Sequence, residues 1–320
     1  MVGAPSVVAL PLRTRFRGIT TRELALVEGP AGWGEFCPFV EYDDAEARAW
    51  WACAREAAED GWPAPVRERV EVNATVPAVD PEHAHRIVTA SGARTAKVKV
   101  AEKGQDASDD LARVEAVRDA LGPAGRVRVD ANGGWDVDGA VAAIRALARA
   151  AGGLEYVEQP CASVEELAAV RRRVDVPVAA DESIRRAEDP LRVARAEAAD
   201  VAVLKVAPLG GVRASLRVAE QIGLPCVVSS AVESSVGLAA GLALAGALPE
   251  LPYACGLGTA DLLAADVVAA PLHPVAGVLA VPCRPPEPTA ELLARHAADP
   301  ERRDWWVERL RRVQGRTPGQ

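Results

Sequence analysis

From about Glu71 onward the chain repeats one unit. A short run rich in β-branched and small apolar residues is followed by a turn, then by an Ala/Arg/Glu-rich stretch with helical spacing. The runs are "VEVNATV", "TAKVKV", "VRVDAN", "LEYVEQP", "VPVAADES", "VAVLKVAP", "PCVVSSAVES" and "YACGLGT". They recur at roughly 22 to 32 residues, the length of one βα unit. Amphipathic segments such as Asp109 to Gly122 and Ser163 to Val174 fill the intervals, and Ser163 with Glu166 forms a capping box. The apolar stretch Val236 to Pro249 is too short to span a membrane and predicts a buried helix. This order predicts an α/β fold, a (β/α)-barrel rather than an open doubly wound sheet, which would carry a Gly-rich phosphate loop early on.

Ahead of the barrel, "ELALVEG" and "GWGEFCPF" read as strands and Asp43 to Asp60 as a helix, predicting a small α+β domain over 1–70. The barrel is expected over 71–270. The segment 271–320 is Pro-rich, then helix-like and charged ("RRDWWVERLRR"), and is expected to pack back through Trp305 and Trp306.

Composition narrows the class. With 320 residues, 49% hydrophobic and 26% charged, the chain has the make-up of a soluble globular protein. A net charge of −8 argues against nucleic acid or an anionic membrane as partner. Cys37, Cys53, Cys161, Cys226, Cys255 and Cys283 are scattered without CxxC spacing, as expected of reduced thiols. The N-terminus lacks the basic and apolar segments of a secretory leader, so a cytosolic protein is the expectation.

Barrel enzymes build their sites at the C-terminal ends of the strands. Late polar residues are Lys97 and Lys99 on run two, Asp130 and Asn132 on run three, and Glu158 on run four. Asp181 and Glu182 follow on run five, Lys205 on run six, and Ser229, Ser230 and Glu233 on run seven. Singly, each has an ordinary use: a strand-ending Asp caps the next helix, a strand Lys runs to solvent, and Glu182 pairs with a following arginine. Together they describe three carboxylates converging on one mouth with lysines on either side. Such carboxylates repel unless a cation neutralises them, and all-oxygen ligation suits Mg²⁺. A carboxylate substrate beside that ion becomes acidic at its α-carbon, and a lysine can take the proton.

The motifs "KVK", "VDANGGW", "EQP", "ADES", "LKVAPLGG" and "SSAVESSVGL" resemble the enolase superfamily in its muconate-lactonizing subgroup. That superfamily is the type case of a lysine base working with Mg²⁺. The resemblance implies a (β/α)7β barrel behind an N-terminal capping domain, with Asp130, Glu158 and Asp181 as ligands of Mg²⁺ (or Mn²⁺). It implies Lys99 as the base, Lys97 as the neighbour holding its pKa down, and Lys205 facing the substrate from the other side. Asn132 and Glu182 would support this set, and Arg128 would reach the same site. Ser229, Ser230, Glu233, Gly256 and Gly258 would line a pocket for a second carboxylate. A mobile loop around Arg13 to Thr20, with Arg13, Arg15 and Arg17, would set specificity.

The short capping domain, "SSAVESSVG" and "ACGLGTADLL" are similar to subgroup members that dehydrate a succinyl-substituted hydroxycyclohexadiene carboxylate for menaquinone synthesis. An N-acylamino-acid racemase is the alternative. The Asp-x-Asp of dipeptide epimerases is not matched, since Asp261 falls beyond the eighth run. A small-molecule carboxylate, no nucleic acid, no membrane and a monomer are the expected associations.

Overall fold

Alternating apolar residues at the start of the chain form a long hairpin, β1 (Ser6–Phe16) against β2 (Ile19–Gly29), extended by β3 (Gly32–Phe36). The structure is a computed structural model that describes residues 4–16, 18–185 and 189–315. The segment expected as a loop, Arg13 to Thr20, spans the end of β1 and the start of β2, with Phe16 opposite Ile19. Arg13 donates from Nε to the Leu263 carbonyl at 3.0 Å and Arg15 is exposed, whereas Arg17 lies outside the described residues.

Helix α1 (Asp44–Arg55) starts at a capping box of Asp43 and Glu46 and runs into one π-helical turn over Glu56–Asp60. It lies against β3 because Gly34 has no Cβ; one there would collide with the Ala54 carbonyl.

The barrel follows. After β4 (Arg69–Glu71) come β5 (Ala74–Val76), β6 (Thr95–Lys99), β7 (Arg126–Asp130), β8 (Tyr156–Glu158), β9 (Val178–Ala180), β10 (Val201–Lys205) and β11 (Cys226–Ser229). The strands β5 to β11 form one parallel sheet in sequence order. Between them lie α2 (Pro81–Ser91), α3 (Ala107–Leu121), α4 (Val137–Ala150) and α5 (Val164–Arg171). The short helices α6 (Glu182–Arg185) and α7 (Arg192–Arg195), then α8 (Val212–Ile222), complete the series. Helix α9 (Ser235–Ala247), which follows β11, is buried almost throughout, as its apolar sequence predicts.

Run eight forms no strand. Cys255 bridges Val72, and Gly256 bridges Ser229, so these residues close the gap between the ends of the sheet. The Asn73 N–H reaches the Cys255 carbonyl at 2.9 Å, and the Gly256 N–H reaches that of Val228 at 2.8 Å. A side chain at position 256 would meet the Ser229 hydroxyl at 2.5 Å, so this closure needs glycine.

The chain then returns. β12 (Val278–Ala280) pairs with β4, and α10 (Ala290–Arg295) leads into α11 (Pro300–Val313). Trp306 is buried edge-on to Phe36, and its indole N–H donates to Glu23 at 3.0 Å. Arg309 donates to the Phe39 carbonyl, and Arg312 to Asp44. The tail is thereby fastened to the antiparallel sheet and α1.

Candidate active site

Period-two alternation puts Lys97 and Lys99 of β6 on one face, and on β7 it puts Arg128 and Asp130 on the face opposite Val127 and Val129. Register does the rest: Lys99 pairs with Asp130, and Asp130 with Glu158. The Lys97 ammonium donates to both Glu158 oxygens at 2.9 Å and lies 3.6 Å from Asp130. Lys99 donates to Asp130 at 2.6 Å and to the side-chain oxygen of Asn132. Across the barrel, with three strands between, Lys205 of β10 donates to Asp181 at 2.7 Å. Asp130, Glu158 and Asp181 are all essentially buried.

The electrostatics are crowded. Burial and then the Asp130 charge, with Asp181 adding to it, push the Glu158 carboxyl up to about 7 against the pull of Lys97. At Asp130 burial acts upward too, yet Lys99 and Lys97 bring it down to about 2. Asp181 is likewise held well below the usual range, burial being outweighed by Arg185 and Lys205. Burial lowers Lys205, whereas at Lys97 the charges of Glu158 and Asp130 overcome burial and raise it.

Among the described residues, no group of three His, Cys, Asp or Glu side chains is gathered so as to enclose a metal ion. Each carboxylate is turned to an ammonium or guanidinium. The donor chemistry nevertheless fits a hard divalent cation: three buried carboxylates within Coulombic reach of one another, one of them destabilised by the other two.

The supporting residues are partly those expected. Asn132 donates to Glu182 at 3.2 Å, and Glu182 also accepts from Arg185 at 2.5 Å. Arg185 was not singled out in the sequence. It donates to Asp181 at 3.0 Å and to the Tyr42 hydroxyl, although its position four residues after Asp181 on a helical turn was a usable signal. Gln159 was missed as well: its side-chain oxygen accepts the Asp181 N–H at 3.0 Å and fixes the turn after β9.

The open mouth above these charges is lined by Lys97, Lys99, Asp130, Asn132 and Lys205 on the reactive side, and by Ser229, Ser230 and Gly256 on the other. Phe16, Thr75, Arg185, Ala231, Val232 and Thr259 also line it; none was singled out in the sequence, although Ala231, Val232 and Thr259 lie inside the motifs quoted there. The Lys99 ammonium lies 5.5 Å from the Phe16 ring, and the Thr75 hydroxyl is buried without a hydrogen-bond partner.

Six expected residues do not line the mouth: Glu158, Asp181 and Glu182 lie beneath or beside the charges just described, and Arg128, Glu233 and Gly258 are turned elsewhere. Arg128 points into the barrel interior, where it donates to Glu155 at 2.5 Å and to the Ala254 carbonyl at 2.6 Å. The Glu233 carboxylate folds back onto the Ala231 N–H at 2.8 Å, because the backbone turns over at Val232. Gly258 lies against the Asn73 carbonyl. Asp261, already discounted, is exposed and pairs with His273 at 2.7 Å.

Comparison with known proteins agrees with this architecture. Residues 80–285 match the family described as "Enolase C-terminal domain-like", and residues 7–58 match "Enolase N-terminal domain-like". The o-succinylbenzoate synthase of Thermobifida fusca is 68% identical over 94% of this chain and 93% of its own length. That of Mycolicibacterium smegmatis is 63% identical over 95% and 93%. Among solved structures, a muconate lactonizing enzyme from Pseudomonas fluorescens superposes with a TM-score of 0.79 at 23% identity, covering 93% of this chain and 98% of that one. The L-Ala-D/L-Glu epimerase of Bacillus subtilis gives 0.76 at 24%, covering 89% and 97%; at these identities the likeness shows the fold alone. Match, identity and coverage together establish that the chain belongs to the enolase superfamily, in the family of the o-succinylbenzoate synthases.

Proposed function

We propose that this protein dehydrates 2-succinyl-6-hydroxy-2,4-cyclohexadiene-1-carboxylate to o-succinylbenzoate, a lyase step of menaquinone synthesis. The observation that carries the reading is the pair of ammonium groups, Lys99 and Lys205, on opposite sides of three buried carboxylates in a chain 68% identical to a synthase of that name.

Enzymes of the superfamily typically work with a divalent metal ion; here we take it to be Mg²⁺ (or Mn²⁺), held by Asp130, Glu158 and Asp181. When bound, such an ion draws electron density from the substrate carboxylate and acidifies its α-hydrogen. Lys99, as the free amine, removes that proton. The Lys205 ammonium stabilises the negative charge that spreads onto the carboxylate oxygens. The C–O bond of the ring hydroxyl then breaks, and Lys99 returns its proton to the departing hydroxide on the same face, releasing water. The ring gains aromaticity. Lys97, locked to Glu158, keeps a second positive charge beside Lys99, while Asn132 and Glu182 hold the end of β7 and the start of α6 in register. Ser229, Ser230 and the backbone at Gly256 receive the succinyl arm.

The reading takes 1–70 as the capping domain, 71–270 as the barrel and 271–320 as the returning segment. It has the protein acting as a cytosolic monomer on a small-molecule carboxylate, without nucleic acid or membrane. Among the described residues no helix is long and apolar enough to cross a membrane.

The test is an ultraviolet assay of diene loss by the purified protein, with Mg²⁺ and with chelator. Metal-dependent conversion to o-succinylbenzoate is expected. If the protein leaves the diene untouched but rapidly racemises an N-succinyl amino acid, the second use of the same two lysines takes its place.

A further inference from the structure

The mouth's non-reactive wall ends in a conformation that its own sequence disfavours. Val232 is β-branched yet has φ +62, in the left-handed region, and it lines the mouth with Ala231. Such a turn persists only where its surroundings over-determine it. The surroundings are supplied largely from the capping domain.

Arg22, on β2 and 2% exposed, donates from Nε to the Val232 carbonyl at 3.2 Å and from its other arm to the Cys37 carbonyl, with its guanidinium 4.2 Å from the Phe39 ring centroid. Glu35, on β3, accepts from the Ser234 N–H at 3.3 Å, the Ser234 hydroxyl and the Gly237 N–H at 3.0 Å, and so caps α9 immediately after the turn. Gly237 makes room for this: a Cβ there would meet Glu35 at 2.8 Å. Glu233, 2% exposed, closes the turn from within through the Ala231 N–H. A planar guanidinium can bridge two carbonyls while stacked on a ring, which a lysine cannot reproduce.

We propose that Arg22 is a positioning residue for the substrate arm, acting through Val232: it holds the 230–234 turn in the shape that lines the mouth. This rests on the reaction proposed above. Arg22 touches neither the lysines nor the carboxylates at the strand ends, so its loss weakens substrate and product binding while leaving the reacting groups in place.

A second capping-domain carboxylate provides the control. Glu56 accepts from the Val212 and Arg213 N–H groups at 2.5 and 3.1 Å, capping α8 as Glu35 caps α9, but it does not approach the mouth turn. The experiment compares wild type, Arg22→Met, Arg22→Lys and Glu56→Gln for KM and kcat on the diene, for o-succinylbenzoate affinity by calorimetry, and for Mn²⁺ affinity. For both Arg22 variants we expect KM and the product Kd to rise about tenfold, with kcat within threefold and Mn²⁺ affinity unchanged. Glu56→Gln should lower Tm and leave KM and product affinity within twofold. If Arg22→Met fails to fold, Arg22→Lys retains the charge and decides the question alone. Product affinity unchanged in a folded Arg22 variant, or weakened equally by Glu56→Gln, overturns the proposal. Wild type inert toward the diene would instead overturn the proposed reaction and, with it, this role of Arg22.

Discussion

Two layers of the same barrel interior, one turn of pleat apart on β7, handle buried charge in opposite ways. In the lower layer Arg128 lies 4.6 Å from the Tyr156 ring centroid and 5.7 Å from that of Tyr253, with Glu155 as its counter-ion. One buried cation meets one carboxylate, which the exposed Arg126 also reaches at 3.2 Å, and aromatic faces and the Ala254 carbonyl cover the rest. In the upper layer Asp130, Glu158 and Asp181 share a space with Lys97, Lys99, Lys205 and Arg185: burial, then the Asp130 charge, drives Glu158 up against the pull of Lys97, and burial drives Lys205 down against the pull of Asp181. Burial of charge marks both layers, so burial alone does not mark a reactive site. Conflict does, because groups held away from their ordinary protonation behaviour are the ones poised to exchange a proton or accept a cation.

The contrast can be broken first at its reactive end. Lys205→Ala should lower kcat on the diene by about 10²–10³-fold with unchanged circular dichroism, since the negative charge that builds on the substrate loses its partner. In the lower layer the loss should fall on stability instead. Arg128→Ala strips Glu155 of its buried partner and leaves a cavity between two tyrosines, costing about 3–5 kcal/mol in urea unfolding. The kcat of the folded fraction should stay within threefold. Were Arg128→Ala to abolish turnover in folded protein, the two layers would not be separable.

A smaller effect sharpens the comparison at the domain junction. Burial, partly opposed by the Ser234 hydroxyl and reinforced by Glu233, raises the Glu35 carboxyl from 4.5 to about 7. A carboxyl that holds its proton more tightly when folded carries no penalty below the unfolded value. It costs stability as pH climbs from about 4.5 to about 7. Glutamine does not titrate. The Tm of Glu35→Gln relative to wild type should therefore be more favourable at about pH 8 than at about pH 5, by a few degrees at most; a difference that does not vary with pH would contradict the shift.

Much of this was legible in the chain because period-two and βα spacing act locally. The run "TAKVKV" became β6 with both lysines on one face, and Ser163 with Glu166 formed the capping box at α5. The eighth run was not legible as two bridges in place of a strand, since that outcome depends on Gly256 meeting Ser229 across the barrel. The loop expected around Arg13 to Thr20 came from the resemblance alone; its described residues extend β1 and β2, which pair as far as Phe16 and Ile19. Arg128 and Asp130 share a face, and sequence spacing cannot say which layer each occupies. Arg22 and Glu35 carry no motif of their own. Their importance arises only from contact with a turn about 200 residues away, as the Ser234 bond to Glu35 illustrates with a separation of 199.

The central claim is that the upper layer, with its amines on opposite sides of the bound molecule, performs the dehydration, and Lys99 is where it is most exposed to test. The measurement is diene turnover by Lys99→Ala at saturating Mg²⁺, with folding verified by circular dichroism. A fall of at least about 10³-fold is predicted, because the other amine on that side, Lys97, is bound to both Glu158 oxygens and holds its proton more tightly than usual. Turnover within tenfold of wild type would contradict it.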